Sequence, residues 1–351
     1  MNPYGEFGRP IALLEAYKEW RDIQLSLEEA DSKADFASYL WGAVNLGVWQ
    51  GYEQIESGWD RFARIENMKD FRERRLRGLN ALTGYGYVGD HGEYPGMHRT
   101  DRGGPGLIID TYGGVYAITR QAIINDDSGD LLNRNPADMG YAASIFVTEA
   151  VIALIESNPT AWDGNPFFGS AHANTGTAAL SEDSLVDAIS SMENQRNDDG
   201  RRIMVRPAAL VVQNSRLELI ARRILRSSQT GAQATIAMAP GAGSNVFDKG
   251  TDNVVSGILP EGSIMREPFL SDATDWYLFA DPARTPAFGV GFLNGKREPF
   301  VGLKDPQVRN ALGPGMDPYT FEIDSVDFKV RHDFGCAAID WRGAYKSVVA
   351  G

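Results

Sequence analysis

Apolar positions along this chain recur with two periods, one of three to four residues and one of two. The first period rules the opening stretch. "IALLEAYKEWRDIQLSLEEA" and "WDRFARIENMKDFRERRLRGL" carry apolar residues at helical spacing with charges between them, and no proline falls between Ile11 and Tyr94. The pattern predicts an arm of helices over residues 10–80, with the basic run Arg72–Arg77 as a solvated helix face. Helical spacing returns after the turn-rich "NDDSGDLLNRNP". Asn135 suits an N-cap and Pro136 a first helical position. Asn158-Pro159 ends the element, a rod of roughly 33 Å at 1.5 Å per residue. A second helix starts at Ser181, with Glu182 and Asp183 at its positive end. "SRLELIARRILR" makes a third, with Arg222, Arg223 and Arg226 near its negative end.

The two-residue period takes over elsewhere. "PAALVVQN", "DWYLFAD", "AFGVGFL" and "REPFVGL" read as strands, the last two joined by the hairpin signal Asn294-Gly295. In "TFEIDSVDFKVRHDF", Phe328, Val330, His332 and Phe334 share one face, and Lys329, Arg331 and Asp333 the other. Gly335 allows a bulge before a further strand. From Thr83 to Gly114 there are ten glycines and two prolines, flanked by alternating segments. This reads as a long hairpin. At roughly 3.3 Å per residue its arms reach about 50 Å, against a radius of gyration of about 20 Å for a compact chain of this length. It has too few apolar residues for a core and is expected to rest on another subunit. Residues 227–253 and 302–318 read as loops. Helices and strands do not alternate as βαβ units, so the class is α+β rather than doubly wound.

Composition narrows the function. Hydrophobic content of 43% and charged content of 23% fit a globular chain of 351 residues, and the net charge of −13 argues against a surface that coats nucleic acid. A single cysteine, Cys336, excludes an internal disulfide. The start "MNPYGEFGRP" lacks the basic and apolar regions of a signal peptide. The longest apolar runs are shorter than a bilayer needs, so a soluble, intracellular protein with no membrane partner is expected.

Catalytic patterns fail one by one. "GYGYVG" (84–89) has the spacing of a dinucleotide loop, but a basic helical stretch precedes it and no helix follows. "NDDSGD" (125–130) lacks the glycine and glutamate of a calcium loop. His91, Glu93 and His98 sit in the glycine-rich stretch without the frame a zinc site needs. No nucleophile motif occurs. Neighbouring residues of a strand cannot pair as base and orienter, so His332 and Asp333 read as strand positions. No catalytic residue, cofactor or metal is expected.

Several blocks resemble one family in order. "DTYGGVYAITRQAIINDDSGDL", "NPFFGSAHANTGTAALSEDSL", "DWYLFADP", "FLNGKREP" and "VDFKVRHDFGCAAIDWRGAYKS" are similar to tailed-phage major capsid proteins of the Mu-like major head subunit family. The resemblance covers roughly residues 70–351. It implies the HK97-like capsid fold: an N-terminal arm (1–81) and an extended loop (82–117) lying over a neighbour. A peripheral domain (118–205 and 320–351) carries a spine helix over 136–157, and an axial domain takes 206–319. It also implies a structural rather than enzymatic role. The chain would self-assemble as hexamers and pentamers into an icosahedral shell around double-stranded DNA, bound without sequence specificity. Scaffold, portal or decoration proteins are the expected partners, and host cytoplasm the place of assembly. Glu93, Arg99, Asp101 and Arg102, near the hairpin tip, would make ion pairs between subunits. The competing readings are an encapsulin-type nanocompartment shell and, more distantly, a soluble hydrolase.

Overall fold

The computed structural model describes residues 33–54, 58–76, 86–97 except 89, 91 and 95, 106–119, 121–122, 125, 130–197, 200–226, 229–230, 251–252, 257–304 except 261, 308–309, 316–317 and 324–349. The chain divides into two compact units. The first combines Met1–Ser57, Ile109–Val147 and Phe292–Phe334; the second combines Gly58–Ile108, Thr148–Gly291 and Gly335–Gly351.

In the first unit, three antiparallel strands pack on two helices. Asp110–Thr119 pairs along its whole length with Ser325–Phe334, and Phe300–Leu303 pairs with Phe328–Arg331 on the other side. The helices are α1 (Lys33–Glu53) and α2 (Asp130–Glu156), whose last turns belong to the second unit. Val44 and Val48 of α1 meet Ile118, Val301, Val326, Phe328 and Val330 in one buried cluster. Each such side chain contributes about 1.5–3 kcal/mol on leaving water. Two glycines set the helix crossing. A Cβ on Gly51 would overlap the Ala137 carbonyl oxygen, and one on Gly140 would overlap that of Val48. Glycine inside a helix costs about 0.5–1 kcal/mol relative to alanine; here it is what lets the backbones touch.

The second unit is built on a five-stranded sheet in the order Thr175–Gly176, Ala344–Ser347, Trp276–Ala280, Pro207–Val212, Ile264–Arg266. The two outer pairings are parallel and the two inner ones antiparallel. α3 (Glu182–Glu193) and α4 (Ser215–Arg226) cover one face, packing Leu185, Ile189, Ile224 and Leu225 against Leu210, Val212, Trp276, Leu278 and Tyr345. Aromatic rings cover the other: Phe62 stacks on Phe279 at 4.6 Å, and Phe168 lies against Tyr277. Every residue of Trp276–Ala280 is buried.

Local signals set several ends as expected. Ser181 caps α3 in a capping box with Ser184. Asn158 takes a left-handed φ of 47° after α2, and its side chain bonds both backbone groups of Phe168. Asn294 and Gly295 both have positive φ and form the expected tight turn, although the strands on its two sides do not pair with each other as a hairpin. The polar and apolar faces of Ser325–Phe334 are those the alternation predicts.

Other expectations are corrected. Residues 63–68 form a strand, not a helix, and Arg74–Arg75 pairs with Gly106–Leu107, so the basic run is no helix face. Phe62, Ala63, Glu66 and Met68 are the buried positions there, and Ile65, which helical spacing groups with Phe62 and Met68, is 40% exposed. Asp110–Thr119 pairs with Ser325–Phe334 rather than closing a hairpin on the segment before it. The strand after Asn294-Gly295 likewise pairs with Phe328–Arg331. Gly335 interrupts nothing: Ser325–Ala338 is one strand of 14 residues. α2 starts at Asp130 with Pro136 inside it, and the Asn135 side chain, instead of capping, donates to the Tyr116 hydroxyl at 2.7 Å. Asn135–Glu156 has the length and hydropathy of a membrane span, but its Val147, Val151, Ile152 and Ile155 are buried in protein.

Candidate assembly surfaces

Among the described residues the histidines and the cysteine are held in the fold, while His91 and His98 lie outside the described residues. In the first unit His332 lies among Tyr52, Phe292 and Phe334, with ring centroids 5.1–5.7 Å apart. Its Nε2 donates to the Arg297 carbonyl at 2.8 Å, and its buried Nδ1 meets no partner. Burial holds its pKa below the ordinary histidine value, the Arg297 bond opposing. Asp333 points to the opposite face, accepting from Thr111 Oγ1 at 2.6 Å and pairing with Arg331 at 3.4 Å. The two neighbours in sequence therefore point apart, and the Asp333 charge only partly offsets the effect of burial on His332.

In the second unit burial pushes the Cys336 thiol up to about 12, which suppresses the thiolate. His172 stacks on Trp341 at 4.1 Å, and its Nε2 lies 2.8 Å from Asp163. Burial raises the pKa of that carboxyl, but bonds from Asn165 and His172 outweigh it and hold Asp163 at about 2. The pair pins the loop after α2, since His172 Nδ1 also faces the Phe167 carbonyl at 3.1 Å. Asp163 and His172 are nine residues apart, a local pair that motif reading passed over. Among the described residues no three His, Cys, Asp or Glu side chains converge to hold a metal.

What the surface offers is apolar and charged area. In the glycine-rich segment Glu93 is exposed; Arg99, Asp101 and Arg102 lie outside the described residues. Beside Glu93, Tyr87 is 96% exposed, Tyr94 85% and Met97 52%. Sequence reasoning named the charges of this segment and missed its aromatics. In the first unit Val115 is 70% exposed on the strand Asp110–Thr119, most of whose residues face solvent. Tyr87, Tyr94 and Met97 fall within eleven residues, a cluster of exposed apolar side chains.

The fold is similar to a solved structure from Microbacterium phage Oxtober96, at 13% identity and a TM-score of 0.46 over 82% of this chain and 90% of that one. The procapsid of bacteriophage JBD30 is similar at 12% identity and 0.44, over 90% and 76%. The holo-SrpI encapsulin complex of Synechococcus elongatus is similar at 8% and 0.46, over 84% and 87%. None of the curated proteins compared matches. A family model described as phage capsid protein matches residues 107–347, from the strand Asp110–Thr119 to the end of the second sheet, and the chain belongs to that family.

Proposed function

We propose that this capsid protein is the major head subunit of a Mu-like tailed phage, with the HK97-like fold. Many copies close an icosahedral shell of hexamers and pentamers around double-stranded DNA, in the host cytoplasm, with scaffold and portal as partners. Its role is structural, not catalytic. The observation that carries the reading is the family match across 107–347, which takes in both sheets and α2, α3 and α4. Size-exclusion chromatography with light scattering, followed by negative-stain microscopy, tests it. Closed shells of megadalton mass are expected; a chain that stays monomeric even with its scaffold overturns it. Nuclease-protected DNA in particles from infected cells is the expected content, and an enzyme cargo would point to a nanocompartment.

On this reading the segment 82–117 lies over a neighbouring subunit. The peripheral domain takes 118–205 and 320–351, with 136–157 as spine helix, and the axial domain takes 206–319. Glu93, Arg99, Asp101 and Arg102 make ion pairs across that contact. Each exposed pair contributes about 0–1 kcal/mol, but a shell repeats them. Reversing the charge of Arg99 and Arg102 lowers assembly yield; unchanged yield and shell stability would discard these pairs. The chain has no lysine between Lys69 and Lys249, so the loop forms no lysine-borne covalent bond. Shells are expected to fall apart into 38.4 kDa chains in hot SDS, and a ladder on the gel would refute this.

A further inference from the structure

α3 and α4 rest on the same face of the second unit's sheet but at opposite sides of it. α3 packs over Ala344–Ser347 and α4 over Ile264–Arg266, the far edge of the strand order. Each turns a polar face outward. On α3 the exposed residues are Asp183, Val186, Asp187, Ser190 and Glu193; on α4 they are Ser215, Arg216, Leu219, Arg222, Arg223 and Arg226, of which Arg222 already bonds Glu218 at 2.6 Å. One stripe is acidic and the other basic. Each has one large apolar residue in its middle, Val186 at 41% exposure and Leu219 at 67%. The spacing is also shared. Asp183, Val186, Ser190 and Glu193 fall at steps of three, four and three, and so do Arg216, Leu219, Arg223 and Arg226. Those steps keep four residues on one helix face over about 15 Å.

We infer that these stripes are the two halves of one contact between copies, α4 of one chain lying on α3 of the next. The inference rests on the shell reading above and names a surface through which neighbours meet. A second copy is the occupant because this chain itself carries the complementary stripe, equal in length and opposite in sign. The two stripes are different surfaces of one chain, so unless a two-fold axis pairs both at once, which would give linked dimers instead of a ladder, the contact runs head-to-tail, and such contacts close rings when the rotation allows. Val186 meets Leu219 at the centre while the charges flank them. DNA would answer the arginines but would leave the acidic stripe without a role.

The test joins a cross-link to a charge swap. In the full chain, Val186→Cys combined with Leu219→Cys and mild oxidation with diamide is expected to give a ladder of linked chains on a non-reducing gel. All variants carry Cys336→Ser, because the native thiol is only half-buried, and either substitution alone then gives none. Arg216→Glu with Arg223→Glu is expected to lower the assembled fraction at least tenfold, as is Asp183→Lys with Asp187→Lys. All four together restore it to within about twofold. A ladder without shells upholds the contact while the shell reading fails. Shells without a ladder, assembling equally well in every charge variant, overturn the contact and leave the shell reading intact. Charge variants that form normal shells but retain less DNA also overturn it, assigning the arginines to phosphates.

Discussion

Two central strands show how differently a sheet can be buried. Ser325–Phe334, in the first unit, has one dry face and one wet one: Phe328, Val330, His332 and Phe334 are buried, while Asp327, Lys329, Arg331 and Asp333 reach solvent in part. Trp276–Ala280, in the second, has no wet face, because α3 and α4 cover one side and aromatic rings the other. The first reads as an alternation, the second as an unbroken apolar run. The difference teaches that strand patterning reports how many layers cover a sheet, and so where tolerance to substitution lies.

Truncation should break the comparison most sharply. Trp276→Ala, at a fully buried site, is expected to cost about 3–5 kcal/mol. Val330→Ala costs only about 1.5 kcal/mol, at roughly 0.8 per methyl lost. Urea unfolding of dissociated chains measures both, and equal costs would erase the distinction. Next comes a proton. Glu267 follows the strand Ile264–Arg266, is 3% exposed, and has one carboxylate oxygen without a partner. Burial pushes its pKa from 4.5 to about 7, a backbone bond from Phe269 opposing. The folded chain then holds a proton that the unfolded chain releases. Stability therefore falls as pH rises from about 4.5 through 7, by about 3 kcal/mol in all at 1.36 per unit. Glu267→Gln should flatten that slope in urea midpoints taken at pH 5 and pH 8; an unchanged slope would place the proton elsewhere.

A smaller effect tests the helix pair of the first unit. Gly140→Ala forces a methyl toward the Val48 carbonyl and is expected to cost about 1–3 kcal/mol through overpacking, despite alanine's better helix propensity. A gain in melting temperature would show that the crossing has room. The least effect belongs to the wet face. Lys329→Ala should stay within about 0.5 kcal/mol, and a larger loss would mean that this face is covered in the isolated chain too.

Much of the local structure was legible. Ser181, Asn158 and Asn294-Gly295 each act within a few residues, through a cap, a left-handed end and a tight turn, so their chemistry is written in the chain. The faces of Ser325–Phe334 follow from a period of two. The stretch 62–68 was misread because the apolar residues Trp59, Phe62, Ile65 and Met68 recur every three residues, whereas the fold leaves Ile65 40% exposed; packing of Phe62 against the rings of the second unit favours the strand. The interface charges were legible only as residue types, and Tyr87, Tyr94 and Met97 were not singled out, since exposure is a property of the folded chain.

The sequence by itself determined element types where side-chain period and end chemistry agree, and the α+β class. Tertiary structure alone decided which strands pair, that Asp110–Thr119 lies along Ser325–Phe334, and that an acidic and a basic helix face lie at opposite sides of one sheet. The physical reason is range. Caps, turns and periodicity are settled within about ten residues, whereas strand partners, buried carboxyls and exposed stripes depend on segments brought together from hundreds of residues apart.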